Sequence, residues 1–116
     1  QTAAVRSLIA DLCDKTAEKL AEKYDEIVRF PLYRTEGFRK AYLDGIMADS
    51  YGYAGTEIIR RVVGDSKVME VTSVTDPDQR IPMERALIKM GIFLIKHREQ
   101  GLTGQTVARA FDMILA

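Results

Sequence analysis

The chain has 116 residues, 47% of them hydrophobic and 29% charged, with 17 basic side chains against 17 acidic ones. This length and composition suit one modest folded domain and exclude a disordered chain. Zero net charge leaves no global field to attract nucleic acid, an anionic membrane or an acidic substrate, so any charge chemistry is local.

Taken in chain order, the first predicted element is a long amphipathic helix over 3–29. Val5, Leu8, Ile9, Leu12, Ala17, Leu20, Tyr24, Ile27 and Val28 recur there at three- and four-residue steps. Its acids and lysines, from Asp11 and Lys15 to Glu22 and Lys23, interleave as on a solvated face. Cys13, beside Leu12 and Ile9, reads as a small core residue. A lone cysteine forms no internal disulfide, which fits a reducing cytoplasm. Pro31 stops the helix. A second helix is predicted over 36–63, with Thr35 as N-cap and Phe38, Ala41, Tyr42, Ile46 and Met47 on its apolar side. Gly45, Gly52 and Gly55 each cost about 1 kcal/mol relative to alanine, so this helix either kinks or meets another backbone closely.

From Gly64 to Pro82 turn residues mix with Val68, Val71 and Val74, and we expect a helical turn followed by a loop. Pro82 suits the first turn of a third helix over 82–99, closed by Gly101. Thr103 suits the cap of a fourth over 103–115, with Val107, Phe111, Ile114 and Leu115 on one side. The fold class is therefore all-α, one helical unit over 1–116, without internal repeats. The run Met90–Ile95 is too short to span a bilayer and no basic-then-apolar leader precedes it. Because residue 1 is glutamine and the helical pattern is under way by Ala3, a longer protein is expected.

The stretch SYGYAGTEIIRRVVG, residues 50–64, holds the candidate site. At 100° per residue Tyr51, Gly55, Ile58, Ile59, Val62 and Val63 share one arc, and Ser50, Tyr53, Glu57, Arg60 and Arg61 the other. One account is purely structural: cations in the last turn offset the helix dipole, Glu57 pairs with both, and Gly64 is the C′ residue. No glycine-rich phosphate loop, nucleotide lysine or set of acidic metal ligands is recognisable, and GYAG is not GxGxxG. The single histidine, His97, reads as helix-terminal, and Met69, Met83, Met90 and Met113 as core positions. We accordingly assign no catalytic and no metal-binding residue to this chain.

Gly52-Tyr53-Ala54-Gly55-Thr56-Glu57-Ile58-Ile59-Arg60-Arg61, followed by Val62-Val63-Gly64, resembles the late C-lobe segment of S-methyl-5-thioribose kinases. There an aromatic-Ala-Gly precedes a Glu and a twin arginine. The helices holding Phe38-Arg39-Lys40-Ala41-Tyr42-Leu43 and Glu84-Arg85-Ala86-Leu87 fit the same layout. The resemblance implies the C-terminal helical part of the C-lobe of a protein-kinase or aminoglycoside-phosphotransferase type fold. The implied reaction moves the ATP γ-phosphoryl group to the anomeric hydroxyl of 5-methylthioribose in methionine salvage. Arg60 and Arg61 would line the sugar site, and by our own inference Glu57 would position one of them. ATP and Mg would be held upstream of Gln1, leaving this chain alone inactive and without a cofactor. A cytoplasmic homodimer is expected, with no nucleic-acid or membrane partner. Two rivals stand beside this reading: another kinase-like sugar or aminoglycoside phosphotransferase, and a non-catalytic helical interaction module.

Overall fold

A computed structural model describes residues 2–63 and 75–115, and every element among them is helical. Helix α1 spans Thr2–Ile27, a short 3-10 turn Pro31–Arg34, α2 Glu36–Val62, α3 Pro77–His97 and α4 Gly104–Leu115. The expected irregular connection over Lys67–Val74, together with Gly64 and Met69, lies outside the described residues.

The ends of α1 and α2 follow local hydrogen bonding. The Arg34 guanidinium donates to the carbonyls of Val28 (2.6 Å) and Asp25 (3.1 Å), filling acceptors that the end of α1 leaves open. Thr35 occupies the N-cap position of α2 as expected, but its hydroxyl turns back to Leu32 O at 2.9 Å instead of capping. The chain reversal between these helices is filled by rings: Tyr24–Tyr42, Phe30–Tyr33, Tyr33–Phe38 and Phe38–Tyr42 centroids lie 4.9–6.1 Å apart. The Tyr24 hydroxyl closes the corner on Tyr33 O.

Helix α3 corrects the sequence expectation. It begins at Pro77, not Pro82, because Asp76 accepts from the Asp78 amide at 3.0 Å and Pro77 takes the first helical position, a complete start signal five residues earlier. Pro82 is therefore inside the helix, where it removes one backbone bond. After His97 the chain turns, and Gly101 supplies the positive φ of 67° that ends it. Thr103 does cap α4: its amide meets Thr106 Oγ1 at 2.7 Å while its own Oγ1 accepts from the Thr106 amide at 3.4 Å.

The helices pack as two antiparallel pairs, α2 with α3 and α1 with α4. In the first pair Gly55 faces Gly91, and a Cβ on Gly55 would stand 2.5 Å from Gly91 O. The close backbone approach expected at the glycines of α2 thus occurs at Gly55, whereas a Cβ at Gly45 meets no heavy atom within 4 Å. In the second pair the Gly104 amide donates to Asp14 Oδ1 of α1 at 2.8 Å, and Arg6 bonds Asp112 at 2.5 Å. Tyr51, Met90, Leu94, Val107 and Ala110 form the central cluster, with Ile9, Cys13, Met47 and Ile58 packed on it. Other positions read as core are exposed: Leu8 (68%), Leu12 (67%), Val63 and Met113. The surface, 8299 Å² for 13.1 kDa over a body 57 × 31 × 21 Å, exceeds the roughly 6,400 Å² of a compact monomer of that mass.

Candidate functional site

The apolar arc of α2 is buried at Tyr51, Gly55 and Val62, with Gly55 against Gly91 and Ile95 of α3, so its opposite arc faces outward. Ser50, Tyr53, Glu57, Arg60 and Arg61 are all exposed there, as the wheel predicts. Glu57 and Arg60 form a forked pair, Arg60 Nε to Oε1 at 3.2 Å and Nη2 to Oε2 at 2.8 Å. The Arg60 guanidinium hydrogen-bonded to Glu57 holds that carboxyl below the usual glutamate range, and the charge of Arg61 adds to the effect. In return the carboxylate raises Arg60. Each side chain is about half exposed, 49% for Arg60 and 52% for Glu57, so the pair fixes geometry more than it stabilises the fold.

The twin arginines differ in their described contacts. Helical spacing places Arg61 about 100° round from Arg60, and the described bonds of Glu57 go to Arg60. Arg60 instead continues a line of side chains that the sequence reading left incomplete. Asp49, Tyr53, Thr56 and Arg60 fall within an arc of roughly 60°. The first three, with Gly52, Ile95 and Arg98, wall an open groove of ≈ 380 Å³. Asp49 was legible as the i, i+4, i+7, i+11 polar series with those residues, but Arg98 arrives from the end of α3 and has no local signal.

The remaining reactive side chains serve the fold. Burial pushes the Cys13 thiol up, despite its bond to Tyr51, in keeping with a core cysteine. Burial likewise raises the Tyr51 phenol, whose hydroxyl points to Leu102 O at 3.4 Å. His97 ends α3 as expected, its ring against Phe93 (4.6 Å) and its Nδ1 2.9 Å from Gln100 Oε1. A hollow of ≈ 460 Å³ between α3 and α4 is lined by Pro82, Leu87, Met90, Phe111 and Ile114 among others and offers no polar side chain. Among the described residues no three His, Cys, Asp or Glu side chains are grouped to hold a metal ion, and no helix is long and apolar enough to cross a membrane.

Comparison with known proteins gives the family. The chain is 30% identical over 90 residues to the methylthioribose kinase of Geobacillus sp. (strain WCH70), covering 74% of this chain and 22% of that protein. It is 32% identical over 83 residues to the methylthioribose kinase of Exiguobacterium sibiricum, 72% of this chain and 21% of the relative. With that of Citrobacter koseri it shares 33% over 87 residues, 75% and 22%. The chain thus spans about a fifth of the length of these relatives. No family model matches the chain, and no solved structure matches it significantly. With this similarity running through nearly three quarters of its residues, the chain belongs to the methylthioribose kinase family.

Proposed function

We propose that this chain forms one wall of the sugar site in an ATP-dependent phosphotransferase acting on the anomeric hydroxyl of 5-methylthioribose, with Arg60 and Arg61 facing the sugar. The observation that carries the reading is the forked Glu57–Arg60 pair on the outward arc of α2. Glu57 uses Nε and one Nη2 proton, leaving Nη1 and the second Nη2 proton to meet sugar or phosphoryl oxygens. A guanidinium held this way before substrate arrives has less freedom to lose on binding and can offset charge developing on the transferred group. Glu57 is then a positioning residue.

In this reading the chain is the C-terminal helical part of a kinase C-lobe. The surface in excess of a compact monomer and the exposed Leu8, Leu12 and Phe30 then pack on the remainder of a cytoplasmic enzyme or on a second subunit. Among the described residues no three acids, histidines or cysteines are grouped as a metal site. On this reading ATP and Mg bind other parts of the protein, and we expect this chain alone to be inactive.

The test is made in the full-length protein, varying methylthioribose at saturating ATP. Arg60→Lys and Arg61→Lys each keep the charge but lose the planar fork. We expect either to lower kcat/KM for the sugar by about 2–4 kcal/mol of transition-state stabilisation while the ATP KM and the melting temperature hardly move. Near-wild-type kcat/KM in both returns the arginines to the role of a charged helix end.

A further inference from the structure

We infer that the elbow between α1 and α2, residues 27–42, is a docking surface for a segment of the same polypeptide outside residues 1–116. That segment lays an apolar side chain on the elbow's rings and brings an aspartate or glutamate to Arg34. The inference rests on the reading of this chain as one part of a longer kinase, and not on the role of Arg60.

The elbow is a pinned apolar surface left uncovered. Ile27 (68% exposed), Phe30 (60%) and Leu32 (59%) stand out from it, and the rings of Phe30, Tyr33, Phe38 and Tyr42 follow one another in contact. Its backbone is tied down by the Tyr24 hydroxyl on Tyr33 O, by Thr35 on Leu32 O and by Arg34 on the last carbonyls of α1. Large apolar groups fixed in advance lose little freedom when covered, and aromatic and arginine side chains are the ones that anchor protein interfaces.

Area points to the source of the cover. The 8299 Å² surface stands roughly 1,900 Å² above that of a compact monomer of this mass. A second copy in an interface of standard size hides only about 800 Å² of each partner. The relatives, by contrast, hold about four fifths of their length outside the part this chain matches.

Charge names the chemistry. Arg34 Nη1 donates to the carbonyls of Val28 and Asp25, which fixes the guanidinium at the elbow and leaves Nε and Nη2, a fork that takes a carboxylate side-on. The Asp25 carboxylate, whose charge Arg34 shares, is already forked onto Arg39. Lys23 and Lys40 have their own acids in Glu26 and Asp44, and Glu36 lies in the first turn of α2, where a helix N-terminus favours it. Arg29 is exposed, and neither it nor Arg34 forms a salt bridge with a carboxylate among the described residues. A wholly apolar cover would strip water from a fixed guanidinium and put nothing in its place, a heavier cost than one buried side chain offsets. The covering segment therefore carries a carboxylate.

The experiment uses the full-length protein, with hydroxyl-radical footprinting of Tyr33 and Tyr42 over a range of protein concentrations and thermal melting of Leu32→Ala, Leu32→Lys and Leu32→Glu. Covering takes these rings from 44% and 50% exposed to fully buried, about a tenfold loss of reactive surface. We expect that shielding at every concentration, and a Leu32→Ala melting temperature about 2 °C or more below wild type. The charged variants read the sign of the cover. In an uncovered elbow the surplus of arginine favours Leu32→Glu, whereas beneath an acidic segment Leu32→Lys should melt above it by about 2 °C or more. Tyrosines that react as half-exposed rings, or Leu32→Ala melting with wild type, overturn the docking. Leu32→Glu melting at or above Leu32→Lys overturns the acidic occupant, and shielding that vanishes on dilution overturns the intramolecular one in favour of a second copy. None of these readouts involves Arg60 or Arg61, so this inference and the sugar-wall reading fail separately.

Discussion

Replacing Gly55 by alanine adds one methyl group at the point where α2 and α3 touch. The new Cβ would stand 2.5 Å from Gly91 O and 2.8 Å from Ile95 Cγ1, whereas ordinary contact begins near 3.4 Å. Ile95 can turn aside, but the Gly91 carbonyl belongs to a helix backbone, so the helices must separate by up to about 0.9 Å locally. Overpacking of this kind costs about 1–3 kcal/mol, against a gain of about 1 kcal/mol from alanine's better helix propensity. The net expectation is destabilisation by up to about 2 kcal/mol. Gly45→Ala, ten residues earlier in the same helix, meets no atom within 4 Å and should keep most of the propensity gain, stabilising by about 0.5–1 kcal/mol. Urea unfolding of both variants at constant m-value reads the difference as opposite shifts of the midpoint. A Gly55→Ala midpoint equal to or above that of Gly45→Ala would refute the close-contact argument. Under the proposed role of Arg60, which lies five residues beyond Gly55, the same separation should also lower sugar turnover in the full-length protein.

Asp14→Ala removes the acceptor for the Gly104 amide, leaving the start of α4 without its cap from α1, and should cost about 1–2 kcal/mol in the same unfolding assay. The Asp25 carboxyl, forked onto Arg39 at 2.8 and 2.9 Å, is held below its ordinary 3.8 chiefly by that hydrogen bond. A depressed carboxylate pKa contributes stability that is fully present above the unfolded value and lost as pH falls through the folded one. Asp25→Asn should thus be less stable than wild type at pH 7, and the two melting temperatures should converge below pH 3.8; a gap that persists in acid would refute the linkage.

Periodicity by itself determined that the chain is helical, because a 3.6-residue repeat of apolar side chains needs only local geometry to be read. It also placed Glu57, Arg60 and Arg61 on the outward arc of α2, since Tyr51, Gly55 and Val62 leave one way to bury that helix. Resemblance in Gly52–Gly64 brought the family, which the relatives bear out. The start of α3 was misread because two prolines compete for one role, and the hydrogen bond from the Asp78 amide to Asp76 decides for Pro77. What only the tertiary structure decided is which part of each apolar stripe finds a partner. On α1 the stripe is wide: Ile9 and Cys13 turn to the core while Leu8 and Leu12 stay outside, a choice made by α4 docking at Ala10 and Asp14. The capping of α4 by a carboxylate 90 residues away, the meeting of Gly55 with Gly91, and the arrival of Arg98 beside Tyr53 have the same origin. Each joins residues distant in the chain, and such contacts are set by how whole helices pack, a property that no local window of sequence contains.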